Sequence, residues 1–508
     1  MLSPRGVTCF LVISTIIRAS NPTAKLAIKI DPGRNGLPLN SLDRNLMQPE
    51  DQELLLGAED YSLLTDLYQL TMVACYTGEG LAERRASFEL FVRELPKKFG
   101  YLIAMGLAQA LDYLEKLQFS ESQLQALQAT GIFEGAPEQF WSLLKSGHFR
   151  GDVWAVPEGT AVFANEPLLR VEAPLWQAQL VETYLLNTIN YQTLIATKAA
   201  RMREVAGREA KLLEFGTRRA FSPQGSMWAA RAALAGGLDA TSNVLAALKL
   251  GRKPSGTMAH SLVMAIGAIS GSEDDAFAAF QRYFPKAPLL IDTYNTMAAA
   301  ERLAELVQAG QMQVAGVRLD SGDIAALSVR VRSLLPEATI FASGDLDEWE
   351  IARLKKAGAI IDGYGIGTRL VTGSPVNGVY KLVEIDGIPT MKKSMSKQTY
   401  PGCKQVFRRW CQAEVGSCDR IEADRLGLVE ENPIGEEQPL LQLVMKAGQR
   451  IWELETLDKI RDRTTASVAS LPQKTRHLDD PIPIWVEISD TLRRLTKEVE
   501  TRNEKSSR

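Results

Sequence analysis

Histidine is scarce in this chain: His148, His260 and His477 are all it has in 508 residues. A metal centre built on several histidines is thereby excluded, and each histidine is weighed singly. Cysteine is scarce as well. Cys9, Cys75, Cys403, Cys411 and Cys418 are odd in number and sparse, which suits thiols in a reducing compartment better than a disulfide framework and makes the cytoplasm the expected location. The intervals between Cys403, Cys411 and Cys418 are wider than the short CxxC pairs of zinc sites. No apolar run is long enough to span a bilayer. Charge of one sign is also missing: 58 Lys and Arg against 61 Asp and Glu leave a formal net charge of -3. That argues against nucleic acid as the main partner and requires any anion site to be local.

What is present is an ordinary globular composition on a chain long enough for a large core and more than one domain. The two ends differ from the rest. Arg5 followed by the apolar stretch from Cys9 to Ile17 imitates a signal peptide, but Arg18 interrupts the place where a small-x-small cleavage site belongs. Residues 1–55 read as a disordered or mis-started extension. Residues 489–508 read as a charged tail that frays.

From Tyr61 the spacing of Leu63, Leu64, Leu67 and Leu70 predicts a helix, with Ser62 or Thr65 available as a cap. Val153 to Val171 reads as short strands broken by Pro157, Gly159 and Pro167, and Leu175 to Val205 as one long helix. A different rhythm then recurs, in which a short apolar run ends in polar or glycine residues and a helical stretch follows. The runs are Ala210–Phe215, Gly237–Asp239, Ser255–Thr257, Pro288–Ile291, Gly316–Leu319, Thr339–Ala342 and Ile360–Ile361. Strand, polar tip, helix is the βα unit, and repeated units close as a barrel or lie as a doubly wound sheet. In both, ligands bind at the carboxyl ends of the strands. No Gly-x-Gly-x-x-Gly opens the first unit, which favours an irregular TIM-type (β/α) barrel over residues 176–371. An α+β domain built from residues 56–175 and 372–488 flanks it.

The predicted tips carry chemistry. Phe215-Gly216-Thr217-Arg218-Arg219 sets an aromatic ring beside two guanidinium groups, suited to stacking a flat heterocycle and pairing an attached anion; its bland reading is a turn with solvated arginines. Arg318-Leu319-Asp320-Ser321-Gly322-Asp323 joins a cation to two carboxylates. Asp292 and Asp345 at neighbouring tips extend that set toward a Mg²⁺ site, although each aspartate alone is more simply a helix N-cap. Gly363-Tyr364-Gly365-Ile366-Gly367-Thr368 reads as a glycine-spaced turn whose N–H groups bind phosphate, but it is not a Walker loop. His260 follows the Gly256-Thr257 tip. It is either a satisfied helix-face histidine, a general base or an acceptor of a phosphoryl group.

Together with Leu64-Thr65-Asp66-Leu67-Tyr68-Gln69, Glu214–Arg219, Gly256-Thr257-Met258-Ala259-His260-Ser261, Arg318–Asp323 and Gly365–Thr368, the sequence from about Tyr61 to Trp452 resembles the nicotinate phosphoribosyltransferase family. The resemblance implies condensation of nicotinate with 5-phosphoribosyl 1-pyrophosphate to nicotinate mononucleotide and pyrophosphate, coupled to hydrolysis of ATP, with Mg²⁺ as cofactor and a homodimer as the assembly. It implies that His260 is transiently phosphorylated, with Arg318 and Asp320 also in the catalytic set. Tyr68, Phe215, Arg218, Thr257 and Arg318 are expected at nicotinate. Gly344, Asp345, Gly365, Gly367 and Thr368 are expected at phosphoribosyl pyrophosphate, and Asp292 and Asp320 at the metal. Cys403 stands where a basic or small residue is expected, so its loop is left out of the site. The rival readings are a nicotinamide- or quinolinate-using phosphoribosyltransferase and a non-catalytic, nucleotide-binding regulatory barrel.

Overall fold

The computed structural model describes residues 57–394, 397–411 and 420–506; the expected extension over residues 1–55 lies outside them. Helix α1 (Leu67–Gly78) is followed by strand β1 (Arg85–Val92), three short helices, and strands β2 (Asp152–Ala155) and β3 (Pro167–Pro174). A short helix, Leu175–Leu180, then leads into the long helix α2 (Glu182–Ala206). The central stretch carries strands β4 (Lys211–Glu214) and β5 (Ala240–Thr241), helix α3 (His260–Ser270), and strands β6 (Leu289–Leu290), β7 (Gly316–Leu319), β8 (Thr339–Ser343) and β9 (Gly363–Ile366). A single helical turn, α4 (Thr368–Val371), leads out to strands β10 (Gly378–Ile385), β11 (Lys404–Trp410), β12 (Ile421–Leu428) and β13 (Gln442–Lys446), and the last helix is α5 (Asp490–Ser506).

Among the described residues, the six central strands form one sheet in the order β5-β4-β9-β8-β7-β6, and every neighbouring pair is parallel. Helices cover them, so the strands are short and buried along most of their length, as the predicted apolar runs require. The sheet is not closed: β5 and β6 are its edges. The run Ser255–Thr257 forms no strand. It is tied instead to the edge strand β5 and to β7, with the Ser255 amide donating to the Thr241 carbonyl at 2.9 Å and Arg318 donating to the Met258 carbonyl at 3.1 Å.

Three further elements differ from the sequence reading. The strand expected at Gly237–Asp239 begins at Ala240, because Gly237 turns the chain at φ 112° and Asp239 spends its carboxylate on the Leu212 amide and Arg203. The strand expected at Ile360–Ile361 is the glycine-rich β9. A Cβ at Gly363 would lie 2.4 Å from the Phe341 ring and one at Gly365 2.5 Å from the Phe215 ring, so the glycines admit neighbouring aromatics where a side chain would stand. The amides of β9 are therefore committed to the ladders with β4 and β8, and the open part of the expected glycine turn starts at Gly367. Helix α1 is capped at neither Ser62 nor Thr65 but begins after Asp66.

A seven-stranded antiparallel sheet packs beside this one. It runs Ile388–Pro389, β10, β1, β3, β2, β13, Gln449–Arg450. Strand β1 is buried at every position after Arg85 and pairs on both sides, with β10 from far along the chain and with β3. Helix α2 is buried on almost all faces, as a helix wedged within a core must be. Its Thr193 and Thr197 hydroxyls accept the Met105 and Ile103 amides. A four-stranded sheet holds β11 and β12. Cys403 is a buried free thiol, pushed by burial up to about 12. Cys75 is an exposed free thiol, whereas Cys411 is disulfide-bonded, a departure from the all-thiol expectation. Among the described residues no helix is long and apolar enough to cross a membrane.

Residues 490–506 do not fray. They form α5, which packs on β12 through one apolar face where Leu492 is 0% and Val499 2% exposed. Truncating Leu492 to alanine should cost about 2–5 kcal/mol of unfolding free energy, as for a buried leucine. Urea denaturation checks this; a loss below about 0.5 kcal/mol, the range of surface changes, would mean that the helix is not docked.

Candidate active site

Because the central strands are all parallel, their carboxyl ends lie on one side. Polar residues follow at several of these ends, Ser242 after β5 and Asp320 after β7 among them. Asp292, just beyond β6, is buried, and one of its carboxylate oxygens, Oδ2, accepts the Asp320 amide at 2.8 Å and the Ser321 hydroxyl at 2.7 Å. This bond pair fastens the tip of β6 to that of β7. Asp320 in turn accepts the hydroxyl of Ser343 at the end of β8. Gly344 follows at φ 90°, with the Asp320 carbonyl so close that a Cβ would come within 2.4 Å of it, so only glycine fits. Asp345 is exposed and also left-handed, at φ 41°.

On the other half of the sheet, the buried Glu214 carboxylate accepts the Thr241 hydroxyl and the Gly216 amide, and burial raises its pKa. The Phe215 amide donates to the Ile366 carbonyl at 2.7 Å and its ring packs on Gly365. The expected heterocycle-stacking ring thus sits against the expected phosphoribosyl segment. Gly367 caps α4, whose first residue is Thr368.

The two halves meet at Arg318. Its guanidinium reaches across to Thr257 Oγ1 at 3.4 Å and the Met258 carbonyl at 3.1 Å, and lies 3.9 Å from Asp320 Oδ1. Its Nε is buried without a hydrogen-bond partner. Burial lowers its pKa, Asp320 and Asp292 oppose that, and the nearby Arg218 adds to it by like-charge repulsion. Arg318 thus has an unsatisfied donor and a second cation near enough to repel it, an arrangement suited to an anionic ligand.

His260 opens α3. Its Nδ1 is 3.1 Å from the Thr293 hydroxyl and its Nε2 is 4.0 Å from Asp292 Oδ1, an oxygen that is buried and has no hydrogen-bond partner. The ring is 39% exposed, so it is held between the β6 tip and solvent rather than satisfied within a helix face.

The structure thus brings together His260, Asp292, Arg318, Asp320 and Thr257, and separately Phe215, Gly365 and Gly367. Arg218 is exposed but near enough to Arg318 for the charges to interact. Tyr68 is different. It is 46% exposed on α1, and the groups that raise its pKa after burial itself are Glu182 and Asp66, not the strand tips. Among the described residues no three His, Cys, Asp or Glu side chains gather as a metal would require, so Asp345 and Asp323 do not join Asp292 and Asp320 in a cluster. Asp323 caps the helix Ile324–Leu334, the bland reading of such a residue. Thr293, Ser321 and Ser343 went unnoticed as site residues. Each stands in a recognised tip, but only the fold reveals which neighbour it bonds.

Replacing Asp292 with alanine removes the tie between the β6 and β7 tips. The variant should lose about 1–3 kcal/mol of stability from its orphaned partners. Its kcat/KM should fall on the order of 100-fold through misplacement of Asp320 and Arg318. Denaturant melts and steady-state kinetics measure the two effects, and unchanged kinetics would remove Asp292 from the site.

Comparison with known proteins identifies the family. Three family models match in succession: the nicotinate phosphoribosyltransferase N-terminal domain over residues 63–190, the nicotinate phosphoribosyltransferase family over 210–343, and the C-terminal domain over 422–496. A nicotinate phosphoribosyltransferase of Mycobacterium tuberculosis is 41% identical, with 85% of this chain and 94% of that protein covered. The Bacillus subtilis nicotinate phosphoribosyltransferase is 44% identical over 73% of this chain and 77% of its own. The crystal structure of human nicotinic acid phosphoribosyltransferase superposes with a TM-score of 0.74 at 30% identity, covering 86% of this chain and 99% of that one. With relatives at this identity aligned over most of both chains, and the tip residues assembled as above, the chain belongs to the nicotinate phosphoribosyltransferase family.

Proposed function

We propose that the enzyme joins nicotinate to 5-phosphoribosyl 1-pyrophosphate, releasing pyrophosphate and nicotinate mononucleotide, with ATP hydrolysis coupled to the transfer. The observation that carries this reading is Arg318, a largely buried guanidinium with an unpartnered Nε and with Arg218 near enough to repel it. An anionic pyridine carboxylate is the partner these cations suit, with Thr257 at the same guanidinium, and we assign the stacking of its ring to Phe215. The ring nitrogen attacks an oxocarbenium-like carbon, so the protein's work is positioning and exclusion of water, with no protein nucleophile. We assign phosphoribosyl pyrophosphate to Gly344, Asp345, Gly365, Gly367 and Thr368.

Asp292 fits a cation better than Asp320 does, since its Oδ1 is buried and unpartnered while Asp320 Oδ1 already takes the Ser343 hydroxyl. We read Asp292 and Asp320 as the residues that hold Mg²⁺, with water and substrate phosphates completing the shell. When bound, Mg²⁺ neutralises charge on the departing pyrophosphate. His260 serves the energetic coupling. A ring nitrogen accepts the γ-phosphoryl group of ATP, ADP leaves, and water later hydrolyses the phosphohistidine to phosphate. The added charge beside Asp292 alters the tips of β6 and β7 while it lasts.

We read the central sheet, with Ser255–Met258 bonded to Thr241 of β5 and to Arg318 of β7, as a barrel-like domain over 176–371, flanked by 56–175 and 372–488; the pairing of β1 with β10 supports that division. The cytoplasm is the location we expect; the free thiols of Cys75 and Cys403 accord with it and the disulfide at Cys411 does not. We also propose a homodimer. Tyr68 is exposed, and the dimer is the assembly in which it serves nicotinate in the partner's site.

Product analysis with each component omitted in turn tests the reaction. Nicotinate should exceed nicotinamide in kcat/KM by about tenfold or more, the worth of a charge-assisted hydrogen bond; equal values would sink the reading. His260→Ala should retain slow transfer and lose its acceleration by ATP, and full ATP stimulation of that variant would acquit the histidine. For the dimer, Tyr68→Ala and Arg318→Ala chains, each impaired alone, should recover activity when mixed and allowed to exchange subunits. No recovery in verified mixed dimers would place Tyr68 in its own chain's site or outside it.

A further inference from the structure

Helix α2 does more than fill the core. Tyr191 and Lys198 stand two turns apart on it and so share a face, and both reach the single turn α4. The Lys198 ammonium donates to the carbonyl oxygens of Arg369 and Thr372, the second at 2.7 Å. The Tyr191 hydroxyl donates to the Val371 carbonyl at 3.0 Å. α4 has four residues, far short of the length at which a helix holds itself in water. Carbonyls at a helix carboxyl end lack partners within the helix and favour a nearby cation. Here that cation comes from α2.

The surroundings are shaped to the ammonium. Gly373 leaves α4 at φ 145°, and a Cβ there would lie 3.1 Å from Lys198 Nζ, so the chain passes the lysine at a glycine. Burial lowers the pKa of Lys198, with Arg369 and Arg201 acting in the same direction and Glu348 and Asp347 against it. The group is therefore a desolvated donor directed at backbone oxygens and not a solvated surface charge.

We infer that Lys198 is a positioning residue for the phosphoribosyl substrate: by clamping the carboxyl end of α4 from beneath, it fixes the Gly367–Thr368 segment at which that substrate is held. The inference rests on the reading of Thr368 as part of the phosphoribosyl site. Lys198 touches neither substrate, and its effect passes through backbone.

Steady-state kinetics on the full chain test it. Lys198→Met keeps the side chain's length and removes its charge and donors. It should raise KM for phosphoribosyl pyrophosphate about tenfold, leaving KM for nicotinate within about twofold. Lys198→Arg keeps charge and donors and should recover most of the loss, and Tyr191→Phe should show a smaller shift of the same kind. Equal shifts in both KM values, or an unchanged KM for phosphoribosyl pyrophosphate in folded Lys198→Met, overturns the inference. Should Lys198→Met fail to fold, Lys198→Arg and Tyr191→Phe decide, and no selective shift in either overturns it. Thr368→Val separates the two levels of argument. If it raises KM for phosphoribosyl pyrophosphate while the Lys198 variants do not, the lysine's role alone falls. If it leaves that KM unchanged, the reading of the segment falls and takes the lysine's role with it.

Discussion

Six strands of two to five residues, all parallel, impose the constraint from which the site follows. Parallel pairing puts every carboxyl end on one side, and strands this short leave the chain no distance over which to diverge before the residues that follow them. Asp292, Asp320 and Ser343 therefore become neighbours, and one buried carboxylate can fasten two tips at once. On the opposite half, Glu214 and the Phe215–Gly365 contact make the same kind of tie. Arg318 links the halves by bonding to the Thr257–Met258 segment, which is tied to the edge strand β5 through Ser255.

The charges within this frame are arranged for a ligand rather than for mutual neutrality. Arg318 is largely buried, repelled by Arg218, 3.9 Å from Asp320, and left with an unused donor. Asp292 keeps one buried oxygen without a partner and turns it toward His260. Each unsatisfied group costs stability in the unliganded enzyme. Substrate carboxylate, phosphates and cation are the chemistry that would satisfy them.

Elsewhere, among the described residues, several buried charges meet in ion pairs. Arg408 with Asp424, Lys404 with Glu89 and Arg201 with Glu348 are all nearly inaccessible. Beside the first pair, Glu166 is held well above the usual carboxylate range by burial and by Asp424. Such pairs add little net stability over apolar packing, but breaking one leaves a buried charge. The Lys404–Glu89 pair ties β11 to β1 from the other end of the chain, and Arg201–Glu348 holds α2, whose Lys198 and Tyr191 grip α4.

The strand–tip–helix rhythm was legible in the sequence because it is local: β4, β6, β7 and β8 fall within or beside the expected apolar runs, and the expected tip residues do follow them. Where the reading missed, a non-local contact had decided. Gly363–Ile366 is a strand because Phe215 and Phe341 occupy the space its missing side chains leave, and 490–506 is a helix because β12 offers its apolar face a surface. The sequence by itself determined the chemistry available, since residue type sets charge, hydrogen-bonding capacity and backbone freedom. Only the tertiary structure decided which groups meet. Thr293 finds His260 from 33 residues away and Lys198 finds Arg369 from 171, and no periodicity in a chain encodes a contact at such separation.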